Sequence, residues 1–181
     1  MQPGEAVGQT CALLEALDET VIAGRKENEV CVIFTMPNSD AEGRAVAEMT
    51  EKWCAASHGR ALAVKSLGRV RYYSALANAA AVVGNSSSGL IEAPSFGIPT
   101  LNIGDRQKGR ARGNTVFECT PQKEEISAAL RHILSPEVRE QCQTAGVNPY
   151  HKEGSVEHIY RILLTLHPTR FKPKHFFDLN L

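Results

Sequence analysis

No apolar run in this chain approaches the roughly 20 residues that a bilayer crossing needs, and the N-terminus has no apolar leader segment. A soluble, cytoplasmic chain without a membrane partner is expected. Charge of one sign is missing too. Over 181 residues, 20 Lys and Arg balance 20 Asp and Glu, so no global field draws the chain to nucleic acid and none is expected as a partner. Any cationic site must be local. The cysteines Cys11, Cys31, Cys54, Cys119 and Cys142 are odd in number, far apart and free of any C-x-x-C pair, which reads as reduced thiols and not a disulfide framework. None of the six histidines stands with cysteines or carboxylates at ligand spacing, so no metal is expected. Repeats and low-complexity segments are absent as well.

What is present is an alternation of helical and strand patterns. Residues 5 to 24 place Val7, Leu13, Leu14, Leu17, Val21 and Ile22 near a helical period. The run EVCVIFTMP, residues 29 to 37, is β-branched and aromatic and ends at a proline, which suits a strand buried on both faces. Ser39 or Asp40 is placed to cap a second helix with Val46, Met49 and Trp53 on its inner stripe, the tryptophan as core. RALAVKSL and RVRYYSALANA follow as strand and helix, then AAVVGN, LIEAPSF and PTLNIG as strand, short helix and strand. Beyond a loop at 104–114, TVFEC precedes helical patterns near 122–134, 136–145 and 155–166. Alternation with short connections predicts an α/β fold, a doubly wound parallel sheet with helices on both faces. The pattern opens on a helix, whereas such units open on the strand that feeds it, so an upstream strand is expected.

In such sheets ligands collect at the carboxyl ends of the strands. One of these ends carries GNSSSGLIE, residues 84–92. Its glycines let backbone N–H groups approach an anion, Ser86, Ser87 and Ser88 add hydroxyls, and the helix that follows adds the positive end of its dipole. The P-loop reading fails because Leu90 and Ile91 stand where lysine and a hydroxyl belong. A nucleophile elbow is disfavoured because Ser88 replaces its second glycine. The dinucleotide fingerprint is absent, so no nicotinamide cofactor is expected. Glu92, read into the first turn of that helix, is placed to accept hydrogen bonds from a ribose diol. The next loop, GDRQKGRARGN, sets Arg106, Lys108, Arg110 and Arg112 against Asp105, and arginine's planar fork suits phosphate oxygens. Phosphate donors beside a sugar acceptor point to a nucleotide.

The stretch GNSSSGLIEAPSFGIPTLNIGDRQKGR, together with IFTMPNSDAEGRAVAEM, KSLGRVRYYSALANAAAVVGNSSSG and NPYHKEGSVEHI, resembles the C-terminal half of the hydrolysing UDP-N-acetylglucosamine 2-epimerases over about residues 10 to 165. The resemblance implies a Rossmann-like domain, the nucleotide half of a glycosyltransferase-B type fold, over 1–166. A tail at 167–181 would dock on an N-terminal domain that also carries the acid and base groups, so no catalytic residue is assigned in this chain. It further implies that Ser86 and Ser87 contact phosphates, that Glu92 binds ribose, that Arg106 reaches the pyrophosphate, and that Leu67 and Gly68 offer backbone to the uracil edge. Ser88, Lys108 and Arg110 complete the expected substrate-binding set. The partners implied are UDP and UDP-N-acetylhexosamine, without a cofactor, in sialic acid or related amino-sugar synthesis; homodimer formation is left open. His151 and Lys152 depart from the small, flexible pair usual in that family's NPY loop. The donor domain of a glycosyltransferase, or a non-catalytic UDP-sugar binding module, would share the fold and the phosphate turn.

Overall fold

A computed structural model describes residues 5–23, 32–36 and 42–166. The chain divides into two units, 1–150 and 151–181. In the first, the helical, strand and loop order expected from the sequence is present. Helix α1 (Glu5–Leu17) widens into a π-helical turn at Asp18–Ile22. Strand β1 (Val32–Thr35), helix α2 (Gly43–Ala56), strand β2 (Ala61–Val64) and helix α3 (Gly68–Asn78) follow. Next are β3 (Val82–Gly84), α4 (Ser88–Ile91), a 3₁₀ turn at Ala93–Phe96, β4 (Thr100–Ile103) and β5 (Val116–Cys119). Helices α5 (Lys123–Ile133) and α6 (Pro136–Ala145) close this unit. The second unit holds α7 (Ser155–Thr165). The expected cap at Ser39 or Asp40 and the tail at 167–181 lie outside the described residues. At the start of α2 the Glu42 side chain makes no cap bond to its own helix. Its carboxylate instead accepts from the N–H groups of Ala6 and Val7 at 2.9 and 3.3 Å, satisfying two donors that the first turn of α1 would otherwise leave unpaired.

All strand pairings are parallel, but among the described residues they form two sheets, β1–β2 and β3–β4–β5. The registers run Val32 to Ala61, Val82 to Thr100 and Thr100 to Val116. β4 is buried at every position. Leu101 and Ile103 point into the main core with Ala16, Leu17 and Val21 and with Ile126, Leu130 and Ile133 of α5. Those α5 positions recur at helical spacing, which is why a helix otherwise rich in charge binds here. On the other face Thr100 meets α4, and a smaller cluster of Leu76, Ala93 and Ile98 lies below Tyr72 and Phe96. Helices therefore cover both faces of the three-stranded sheet, as doubly wound architecture requires.

Three expectations need correction. The strand at β1 is not buried on both faces: Ile33 and its register partner Leu62 are 49% and 56% exposed, because no described element lies over that side. The first helix does not run on regularly to residue 24. Its last turn widens where Trp53 Nε1 donates to Asp18 at 3.1 Å and Glu19 pairs with Lys123 and Arg131 of α5. Finally, LIEAPSF is not one helix. The single α turn of α4 passes into a 3₁₀ turn because Pro94 offers no N–H, and Gly97, at φ 62°, ends it in the left-handed region.

The approach of α4 to β4 is tight. A Cβ on Gly89 would lie 2.7 Å from Thr100 Cγ2, and Thr100 Oγ1 donates to the Gly89 carbonyl at 3.0 Å. In Gly89→Ala, overpacking of about 1–3 kcal/mol should outweigh a helix-propensity gain of about 1 kcal/mol. Urea denaturation should therefore show a lower midpoint. Adding Thr100→Ser, which removes the methyl and keeps the hydroxyl, should restore much of the loss. An unchanged midpoint in the single variant would mean that α4 is not seated on β4.

Candidate functional site

Three connections leave the carboxyl ends of β2, β3 and β4, and the side chains between them join these loops. After β3 the backbone turns through Gly84, at φ 139°, into Asn85, Ser86 and Ser87. The N–H groups of Gly89, Leu90 and Ile91 then close onto the carbonyls of Ser86 and Ser87 at 3.0–3.2 Å. Ser86 is exposed, and Ser87 and Ser88 are half-buried. Ser86 Oγ accepts from the Ser88 N–H at 3.4 Å, which curls the three serines into one compact turn. The helix that follows has 4 residues, so its dipole is slight. Hydroxyls, not the macrodipole, supply the polarity of this turn.

Two tyrosines of α3 reach across to it, and the sequence treated them only as part of a helical pattern. Tyr72 Oη shares a short hydrogen bond with Ser88 Oγ. Tyr73 Oη donates to Glu92 Oε1 at 3.2 Å, and its ring packs on Phe96 with centroids 5.7 Å apart. Burial pushes the Tyr72 hydroxyl above its ordinary range, the Ser88 bond pulls the other way, and the neighbouring Glu92 and Tyr73 raise it further. Tyr72 thus stays protonated at neutral pH and able to orient Ser88. Glu92 sits between α4 and the 3₁₀ turn, closing the first and opening the second, and not in a first helical turn as expected. Leu67 and Gly68 begin α3, one turn before these tyrosines. The Gly68 N–H, expected to face a ligand, donates to Ser66 Oγ at 3.2 Å.

The basic loop after β4 is pinned to the serine turn from below. Gln107 is 4% exposed, and its Nε2 donates to the Asn85 carbonyl at 2.7 Å. Its Oε1 has no partner among the described residues. Nothing in the sequence marked it, since it is the neutral residue in a run of cations. Arg106 touches the same residue, Nη1 to Asn85 Oδ1 at 3.4 Å. The other cations disperse. Lys108 stands 3.9 Å from Asp105, Arg110 is exposed, and Arg112 pairs with Glu118. Glu118 in turn accepts from the buried Asn102 at 3.2 Å. A cavity of about 500 Å³ lies beside Lys108 and Arg112, and none of the serines lines it. Asn148 straps the end of this unit to the serine side, with Nδ2 donating to the Ile91 carbonyl at 2.9 Å and to Ser95 Oγ at 2.6 Å. The structure thus brings together Ser86, Ser87, Ser88, Glu92 and Arg106 and joins Leu67 and Gly68 to them through α3. Lys108 and Arg110 share the basic loop but touch none of the others. His151 and Lys152 belong to the second unit.

A hydroxyl-rich turn and a basic loop on adjacent carboxyl ends of a parallel sheet define a Rossmann-like α/β protein with its polar groups at the ligand-binding edge. The profile of the UDP-N-acetylglucosamine 2-epimerase family matches residues 4–164, and the chain belongs to that family. It is 35% identical over 109 residues to the GDP/UDP-N,N'-diacetylbacillosamine 2-epimerase (hydrolyzing) of Campylobacter jejuni, covering 60% of this chain and 28% of that protein. Against the UDP-N,N'-diacetylbacillosamine 2-epimerase (hydrolyzing) of Legionella pneumophila it is 30% identical over 149 residues, 82% of this chain and 37% of that one. The fold also matches a UDP co-structure of S. aureus MnaA with a TM-score of 0.63 at 18% identity, covering 98% of this chain and 47% of that chain. The matched region therefore spans well under two thirds of each of these relatives.

Gln107 offers a test of how the loops are held. Gln107→Leu keeps the bulk but leaves the Asn85 carbonyl without its donor, a loss of about 1–3 kcal/mol. Chemical denaturation should register that loss, and amide exchange should quicken selectively across 105–110. Uniform quickening throughout the unit would mean that Gln107 serves general packing and not loop placement.

Proposed function

We propose that this chain binds UDP and UDP-linked 2-acetamido sugars as the nucleotide half of a hydrolysing UDP-sugar 2-epimerase. The observation that carries the reading is the joining of Ser86–Ser88, Glu92 and Arg106 at neighbouring carboxyl ends, in a chain whose family match runs almost end to end. In this reading the exposed Ser86 hydroxyl and the Ser87 hydroxyl donate to phosphate oxygens, and Arg106 swings from its weak Asn85 contact to the pyrophosphate. Glu92, oriented by Tyr73, accepts from the ribose diol. Leu67 and Gly68 lie towards the base, and Lys108 and Arg110 add positive field at the open rim.

The chemistry assigned to these residues is leaving-group stabilisation. When the bond between the anomeric carbon and the UDP oxygen breaks and the C2 proton is removed, a glycal and UDP form, and negative charge grows on the pyrophosphate. Hydroxyl donors and a guanidinium already aimed there lower that barrier because they need not reorganise. Water then adds across the double bond, its oxygen to C1 and a proton to the opposite face of C2, giving the 2-epimer as free sugar. The groups that move those protons are placed in the remaining part of the longer enzymes. The chain is a cytoplasmic biosynthetic component in this reading, and the segment 167–181 serves to dock that remaining part.

Calorimetric titration with UDP and with uridine tests the site. The chain should bind UDP near the micromolar-to-millimolar boundary, about −8 to −4 kcal/mol. Glu92→Gln should weaken UDP by about 1–3 kcal/mol, the worth of a charge-assisted hydrogen bond. Arg106→Ala should weaken UDP far more than uridine, since uridine has no phosphates. With UDP-N-acetylglucosamine or its diacetamido relative, the chain alone should release no UDP. Absence of any UDP binding would overturn the reading, and steady release at about 1 per second would return the acid and base groups to this chain.

A further inference from the structure

Asn85 stands at the head of the serine turn, and two side chains of the basic loop donate to it from different directions. Arg106 Nη1 reaches its side-chain oxygen Oδ1 at 3.4 Å, and Gln107 Nε2 donates to its backbone carbonyl at 2.7 Å. That carbonyl belongs to the peptide bond whose nitrogen is Ser86 N. Negative charge developing on either oxygen therefore meets a donor already in place. Ser86 is exposed, so water reaches the Asn85–Ser86 link.

What is left untied matters as much. Among the described residues no acceptor holds Asn85 Nδ2, and none takes the Ser86 N–H. The other described asparagines are secured. Asn78 Nδ2 donates to the Ser74 carbonyl at 2.8 Å, and the next N–H, that of Ala79, donates to the Leu76 carbonyl at 3.2 Å. Asn114 is tied at both ends of its amide, to Ala145 and Val147. Asn102 lies inside the buried strand β4, and Asn148 precedes Pro149, which has no N–H.

An asparagine followed by a free N–H can close a cyclic imide. Ser86 N gives up its proton and bonds to Asn85 Cγ; the Cγ–Nδ2 bond then breaks, and the amide nitrogen leaves with a proton as ammonia. Water opens the imide at one of its two carbonyls, which yields aspartate or isoaspartate. As Ser86 N loses its proton, charge spreads onto the Asn85 carbonyl oxygen, where Gln107 donates. As the new bond forms, charge passes to Oδ1, where the Arg106 guanidinium donates.

We propose that Asn85 is a self-modification site, at which Gln107 and Arg106 promote cyclisation onto Ser86 and hydrolysis leaves a carboxylate at the head of the serine turn. That carboxylate would pair with Arg106, which has no carboxylate partner among the described residues, and so cancel the positive charge beside the serines. The isoaspartyl product would also lengthen the backbone between Gly84 and Ser86 and shift the turn. The modification itself does not depend on a ligand; its effect on UDP rests on the function proposed above.

Peptide mapping by mass spectrometry tests it, on the folded chain and on the free peptide 82–90 held at the same neutral pH. Asn85 should convert about tenfold faster in the folded chain than in the peptide, while Asn78 and Asn114 remain amides. Arg106→Ala, a change at an exposed position, and Gln107→Leu should each slow the conversion by about threefold or more, with melting curves showing that both variants are folded during the incubation. Conversion no faster than in the peptide, or indifferent to both substitutions, would overturn the proposal. The converted chain, separated by its added charge, should bind UDP at least about tenfold more weakly than the unconverted chain, and Asn85→Asp should do the same. Equal binding by the converted and unconverted chains would overturn the closing of the site. If neither binds UDP, the ligand reading fails, and the conversion rates still decide the modification.

Discussion

The closeness of α4 to β4 is the constraint on which the site depends. β4 is the strand buried on both faces, and its two sides do different work. Leu101 and Ile103 belong to the main core with α1 and α5, which at about 1.5–3 kcal/mol for each fully buried large side chain makes the strand a rigid reference. Thr100 carries the serine turn on the other side, through a hydrogen bond to Gly89 and a contact that leaves no room for a Cβ. Asn102, one pleat further on, bonds the Gly104 carbonyl and Glu118, so the start of the basic loop is referenced to the same strand. The positions of hydroxyls and cations are thus inherited from core packing and not set by the loops themselves.

Electrostatics sort the cations of that loop into used and available. Arg112 is taken by Glu118, and Lys108 is loosely held by Asp105 on the surface, where such pairs contribute about 0–1 kcal/mol. Among the described residues Arg106 touches only a neutral amide, at 3.4 Å, and no carboxylate pairs with it near the exposed Ser86. In a protein with no net charge, this local excess is what an anionic ligand would meet. The half-buried, protonated Tyr72 on one side and the buried Gln107 on the other hold the serine turn between them. They stiffen the turn without adding charge to it.

Much of this was legible in the letters because the signals are local. Alternation of periods predicted the element order, and the run of serines and the basic loop stand after neighbouring strands, as their order in the chain led one to expect. The unread parts are long-range. Tyr72 and Tyr73 sit at ordinary helical positions, and only the crossing of α3 over α4 brings them to Ser88 and Glu92. Gln107 is hidden by the charges around it. The break of LIEAPSF into two kinds of turn was signalled by Pro94 and Gly97 but masked by its apolar pattern. The exposure of Ile33 and Leu62 depends on what covers the sheet, which no property of VIFT or ALAV can state. Glu42 carried no signal of its own in the sequence, and it serves the amino end of a different helix, 36 residues away.

The division of the sheet bears on the site as well as on the fold. Leu67 and Gly68 follow β2, on one side of the gap, and the serine turn follows β3 on the other. The described links that join the two loops run through α3, by Tyr72 to Ser88 and Tyr73 to Glu92. Contacts of that kind orient side chains, but parallel strand pairing sets a register in steps of about 3.3 Å along the chain and about 4.8 Å across it. Among the described residues no strand pairing joins β1 to β3, so those two tyrosine contacts carry the spacing of the 67–68 turn from the serine turn. Since misplacement of about 1 Å can cost an enzyme site ~100-fold in rate, the two α3 tyrosines would weigh on any chemistry at this edge as much as the loops they join.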